Sequence, residues 1–262
     1  MPDLPTLPTP SPEPDPWASL RAFTAARIGL GRTGTSVPLR EALAFRLAHA
    51  HARDAVYSAL DKALPAALRE LGRPVLEVRS QAATRPEYLR RPDRGRQLDE
   101  ASRAHLTAAA ADCDLVVVLA DGLSATAVNQ HALPLLRRLM PALRQAGFRL
   151  GPLVLAQQAR VALGDEVGHL LRSRLVLVLL GERPGLSAPD SLGAYFTYGP
   201  RPGLTDEARN CVSNIRPAGL GYDAAADKLC YLLREALRRQ LSGVGLKDES
   251  GLLAGPGALA LE

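Results

Sequence analysis

Four short apolar runs, each separated from the next by a stretch of helical spacing, constrain this chain more than any other feature. They lie at 75–78, 115–120 (LVVVLA), 153–155 and 175–180 (LVLVLL), and are rich in β-branched residues. Runs of this length that are almost wholly apolar (Glu77 interrupts the first) read as buried strands. Between them, helical stretches are expected at about 98–111, 125–146 and 165–172, and a last helix at 222–239 sets Ala225, Leu229, Leu232 and Ala236 on one face. Buried strands alternating with helices predict the α/β class: a Rossmann-like, largely parallel sheet flanked by helices.

The sequence ahead of the first strand has another period. A short helix is expected at 17–25, then a glycine-rich turn through 28–36. Ser36, Pro38 and Glu41 look like a helix start, and Leu39, Leu43, Leu47 and Ala50 continue it at helical spacing to Leu60. A second helix at 62–71 stops at Gly72 and Pro74. The expected organisation is a disordered Pro-rich tail (1–16), an N-terminal helical domain (17–73), an α/β domain (74–240) and a flexible C-terminal tail (241–262).

With 47% apolar residues but only 4% aromatics, the core must be built from Leu, Ala and Val. The net charge of +5 is carried by arginines spread along the chain, with lysine only at 62, 228 and 247 and no basic run interleaved with aromatics. Nucleic-acid binding is not indicated. Three cysteines, Cys113, Cys211 and Cys230, form no C-x-x-C pair, which argues for a reducing cytosol and against a disulfide framework or structural zinc. No apolar stretch approaches the ~18 residues of a membrane span. The N-terminus has neither the basic nor the apolar region of a secretory signal.

Three segments hold residues suited to chemistry. In Asp121-Gly122-Leu123-Ser124 an apolar strand empties into a turn and a Ser-capped helix, the edge where parallel sheets collect ligands; a purely connecting role stands beside that reading at even odds. Glu182 leaves the strand at 175–180 at the same expected edge, with an ion pair to Arg183 or to a neighbouring helix as the plainer alternative. Cys211 sits among polar residues 206–215, but no histidine is near it in sequence, so a buried Cys acting as a small hydrophobe is favoured. There is no G-x-G-x-x-G, no Walker A sequence and no D-x-H-x-x-G of the kind that ligates cobalt in many corrinoid domains. His49 and His51 lie two apart on a helix and cannot share a face as metal ligands.

Longer segments are more specific. ARIGLGRTGTSVPLREALAFRLAHAHARDAV (26–56), ADGLSATAVNQHALPLL (120–136), GDEVGHLL (164–171) and GERPGLSAPDSLGAYFTYGPRPGLTDEARNCVSNIRPAGL (181–220) closely resemble ethanolamine ammonia-lyase light chains, in consistent order from about residue 25 to 240. The resemblance implies a subunit of a carbon–nitrogen lyase, inactive alone, joined to a heavy (large) subunit with a TIM barrel in a hetero-oligomer of heavy–light pairs. It implies adenosylcobalamin between the two chains, homolysis of the cobalt–carbon bond, and conversion of ethanolamine to acetaldehyde and ammonia. The light chain would then bind and orient the cofactor while the cofactor carries the radical chemistry. Positions matching the family's cofactor contacts are Val161, Glu182 and Cys211; no catalytic residue and no metal ligand is implied here. The N-terminal helical unit is expected to dock on the heavy chain. A cytoplasmic location follows, within an ethanolamine-utilisation microcompartment in some relatives, although residues 1–16 lack the amphipathic pattern of a targeting helix. Two other readings are an independent α/β enzyme acting on a nucleotide or phosphorylated ligand, and a purely structural partner subunit.

Overall fold

The computed structural model describes residues 15–110 and 112–249; the expected tails fall largely outside the described residues, at 1–14 and 250–262. The chain divides into two compact units, Met1–Asp54 with Gly185–Ala188, and Ala55–Pro184 with Pro189–Glu262.

The second unit carries the sheet. Its strands are β1 (Val75–Arg79), β2 (Cys113–Ala120), β3 (Leu150–Gln157), β4 (Ser173–Gly181), β5 (Leu192–Tyr198) and β6 (Arg209–Ile215), in spatial order β1-β3-β2-β4-β5-β6. The first four are parallel to their neighbours; β5 and β6 are antiparallel additions beyond β4. The α/β class and largely parallel sheet expected from the apolar runs are therefore present. The two antiparallel strands were not foreseen. Their residues, LGAYFTY and RNCVSNI, are mixed in polarity because one of them lies at the sheet edge.

Alternation along each buried run assigns its side chains to two cores. Leu115, Val117 and Leu119 of β2, with Leu175, Leu177 and Leu179 of β4, face one side. They pack there on α2 (Leu64–Arg69), α5 (Ala125–Gln145) and α7 (Tyr222–Arg239), through Leu68, Leu139 and Leu229 among others. Val116, Val118, Val176 and Val178 face the other side and meet Leu106 of α4 (Glu100–Ala108) and Leu163 and Val167 of α6 (Leu163–Leu170). Each fully buried aliphatic side chain contributes about 1.5–3 kcal/mol, so a change of register by one residue, which would exchange the two faces, is strongly disfavoured. The short α3 (Arg85–Arg90) begins at Thr84, whose hydroxyl accepts from the Glu87 amide at 3.4 Å. Asp99 caps α4 in the same manner, accepting from Ser102 N at 2.8 Å.

The helix α1 (Leu39–Tyr57) runs across the boundary of the two units. It does not begin at Ser36. Ser36 instead exchanges two backbone hydrogen bonds with Thr33 (2.9 and 3.1 Å) across a turn closed by Gly34 at φ +62°, and Ala42 N donates to the Pro38 carbonyl at 3.0 Å. Leu39, Leu43 and Leu47, the apolar stripe at helical spacing, are 73%, 53% and 59% exposed.

Candidate functional site

At the C-terminal ends of the parallel strands the chain packs backbone against backbone. Leu123 N donates to the Gly181 carbonyl at 2.9 Å, tying the turn after β2 to the end of β4. Gly122 holds φ +56°, and a Cβ placed there would lie 2.8 Å from Leu180 Cγ and closer still to the Gly181 carbonyl. Glycine is required by both conformation and space.

Asp121 and Ser124 are consumed by this construction, which settles their two readings in favour of the connecting one. The Asp121 carboxylate accepts the backbone amides of Gln158 (2.8 Å) and Ala159 (3.0 Å), joining β2 to the turn after β3, and Arg85 stands 3.8 Å away. Burial pushes the Asp121 pKa up, against the opposing pull of those amides and of Arg85. Ser124 is fully buried; its hydroxyl donates to the Pro189 carbonyl (2.9 Å) and accepts from Ala127 N (3.4 Å).

Glu182 is half-buried. Its amide donates to the Ser191 carbonyl at 3.0 Å, the Ser191 hydroxyl donates to its carboxylate, and Asn214 N approaches the same carboxylate oxygen at 3.4 Å. Arg183, the partner expected in the plainer alternative, is fully outside this set. Cys211 is exposed, contrary to the buried role that residue chemistry favours. It occupies β6 opposite Tyr195 of β5, which sets the thiol and the phenol side by side. Burial pushes the Cys211 thiol up, and the nearby Glu182 charge adds to that, so the group stays protonated at neutral pH and is no nucleophile. The Tyr195 hydroxyl is likewise driven up, chiefly by burial.

Antiparallel pairing is what brings Glu182 and Cys211 together. Gly181 pairs with Leu192 and Tyr195 with Cys211, so the carboxylate, the phenol and the thiol share one side of the β4-β5-β6 corner. Gly193 lies between them: a Cβ there would stand 2.8 Å from both Glu182 Oε1 and Tyr195 Cε2. The missing side chain lets the Glu182 and Tyr195 side chains close over the backbone at this point. Val161 follows β3 and packs, as do Leu180 and Tyr195, on the core cluster behind β2 and β4. The corner thus offers apolar surface from Leu180 and Tyr195, one carboxylate and one neutral thiol, while Val161 stands apart from it, after β3. The corner holds no acid–base pair and no activated nucleophile. Among the described residues no cluster of His, Cys, Asp and Glu has the makings of a metal site, and no helix is long and apolar enough to cross a membrane.

Sequence reasoning alone located Glu182 at its strand end but had no signal for Tyr195, Gly193, Ser191 or Asn214. Only the alternation in 192–198 could have flagged a strand there.

Comparison with known proteins gives one consistent result. Residues 14–247 match the family described as ethanolamine ammonia-lyase light chain (EutC). A protein of Pseudomonas paraeruginosa named ethanolamine ammonia-lyase small subunit is 56% identical over 249 residues, covering 93% of this chain and 91% of that protein. Proteins of the same name from Pseudomonas aeruginosa (strain LESB58) and Pseudomonas putida (strain GB-1) are each 55% identical, over 95% and 92% of this chain and 92% and 90% of theirs.

Proposed function

This chain belongs to the ethanolamine ammonia-lyase light chain family, and from that premise we propose that it binds adenosylcobalamin together with a large subunit and is inactive alone. The observation that supports the reading is the β4-β5-β6 corner, where Glu182, Tyr195 and Cys211 stand on one side of the sheet and close over Gly193. In its assembled form the complex converts ethanolamine to acetaldehyde and ammonia in the cytoplasm.

The residues present fit the cofactor. A corrin carries a broad apolar face and a rim of primary carboxamides. Val161, Leu180 and Tyr195 supply the apolar ground, and the Glu182 carboxylate, held from behind by Ser191, accepts from amide N–H groups. Cys211 and Gly193 contribute close packing and the exclusion of water, with no reactivity required of the thiol. When bound, adenosylcobalamin supplies the radical chemistry through its cobalt–carbon bond. This chain's residues orient and desolvate; they hold no proton-transfer role.

The partner is a large subunit, and the exposed stripe of Leu39, Leu43 and Leu47 on α1 is where we place part of its contact. A free helix in water has no reason to display three leucines on one stripe, whereas a partner that covers them gains their burial. We retain the division into an N-terminal docking segment (17–73), a cofactor-contacting α/β segment (74–240) and terminal tails.

The test is co-expression with the cognate large subunit, followed by assay of adenosylcobalamin-dependent acetaldehyde formation with and without this chain. Activity that requires both chains is expected. Full activity of the large subunit alone would refute the proposal.

A further inference from the structure

We propose that His131, on the opposite side of the sheet from Glu182, is a positioning residue that sets the orientation of the Glu182 carboxylate through Asp190; the inference rests on the reading of Glu182 as a cofactor contact.

His131 lies on α5 with its side chain 6% exposed, and both ring nitrogens are engaged. Nε2 faces Asp190 Oδ2 at 3.1 Å and Nδ1 faces the Tyr222 hydroxyl at 2.8 Å. An ionised carboxylate can only accept, so in the neutral ring Nε2 carries the proton and Nδ1 accepts from Tyr222. The tautomer is fixed by its partners, and both partners are thereby fixed by the ring. With both nitrogens bonded the ring is buried without an unmet donor or acceptor, and removing it leaves Asp190 short of a donor.

That segment is Pro189-Asp190-Ser191, and each of its three residues is tied down separately. Pro189 O accepts from the Ser124 hydroxyl at 2.9 Å, Asp190 accepts from His131, and the Ser191 hydroxyl donates to the Glu182 carboxylate. A second branch closes the ring. Arg216 Nη1 stands 4.0 Å from the other oxygen of Asp190, and its Nε donates to Asn214 Oδ1 at 2.8 Å. Asn214, held at φ +57°, directs its backbone N–H at Glu182 Oε2. Asp190 is therefore the node shared by the two elements that fix Glu182, namely Ser191 beside it in sequence and Asn214 through Arg216. Removing His131 frees Asp190 to swing toward Arg216, and both donors to Glu182 shift with it.

The experiment is a double-mutant cycle in the assembled large–small complex, with hydroxocobalamin affinity read from its visible absorbance during titration. Glu182→Gln is expected to weaken binding about tenfold, and His131→Ala about fivefold, each on the order of 1 kcal/mol. The double variant is expected to bind no more weakly than Glu182→Gln alone, because His131 acts only through Glu182. A purely structural histidine would give losses that multiply in the double variant, and that result overturns the proposal. Should His131→Ala fail to assemble, Asp190→Asn enters the same cycle with the same expectation. If Glu182→Gln alone leaves affinity unchanged, the assignment of Glu182 as a contact fails first; losses that multiply leave that assignment intact and refute only the role of His131.

Discussion

Replacing Asp121 with alanine separates a structural carboxylate from a ligand-binding one. The carboxylate accepts two buried amides, Gln158 N at 2.8 Å and Ala159 N at 3.0 Å. Each buried donor left without a partner costs about 1–3 kcal/mol. The Arg85 ion pair adds less than a closed buried pair would, because its separation is 3.8 Å and the guanidinium keeps the carbonyls of Val56 (2.7 Å) and Gly122 (2.8 Å). Against these losses stands the burial of the charge itself, which raises the Asp121 pKa and costs the folded state something at neutral pH. The balance is a loss of about 3 kcal/mol, close to a 150-fold fall in the folding equilibrium, or roughly 6–12 °C in Tm for a domain of this size. Asp121→Asn, which retains one acceptor, should lose about half as much, on the order of 1–2 kcal/mol. Urea unfolding of the purified chain followed by far-UV circular dichroism measures both, with an unchanged slope expected. A loss below about 1 kcal/mol together with lost cofactor affinity would refute the reasoning, since the carboxylate would then be serving the ligand.

Other consequences are as direct. Gly122→Ala forces a Cβ into a left-handed residue pressed against Leu180 and Gly181, and thermal unfolding should show a Tm lower by roughly 6–12 °C. Asp114 accepts from Arg149 Nη2 and Arg149 N, both at 3.0 Å, and the Arg149 side chain holds its pKa below the usual carboxylate value. Because that pKa is depressed on folding, the stabilisation is present above the unfolded value of 3.8 and is lost as pH falls below it. The difference in urea midpoint between wild type and Asp114→Asn should therefore be clear at neutral pH and narrow in acid. Cys211, exposed but with a raised thiol pKa, should react with iodoacetamide more slowly than free cysteine at pH 8 and catch up only at higher pH. Leu43→Asp should leave the Tm of the isolated chain unchanged within about 1 °C, since a solvent-exposed position costs little, while reducing co-purification with the large subunit.

The four parallel strands, their helices and the last helix were legible because burial on two faces writes itself into consecutive apolar residues. LVVVLA and LVLVLL have no other economical fate than a sheet covered on both sides, and Tyr222–Arg239 keeps its apolar face at helical spacing over its whole length. The long segments shared with ethanolamine ammonia-lyase light chains likewise carry the family in the sequence itself.

The site was less legible. Local chemistry placed Glu182 at a strand end, and it ranked Asp121 and Ser124 beside it because all three follow apolar runs. Tertiary packing separates them: Asp121 meets two amides of the next strand's turn and is buried, whereas Glu182 stays half-buried and accepts from Ser191 and Asn214. Cys211 looked like core because a lone cysteine usually is, yet β6 is an edge strand and turns it outward opposite Tyr195. The sequence by itself determined which residues must be covered, since the hydrophobic effect acts on each side chain wherever it lies in the chain. Which polar residues meet depends on antiparallel register between segments up to some 30 residues apart, and only the folded chain sets that register.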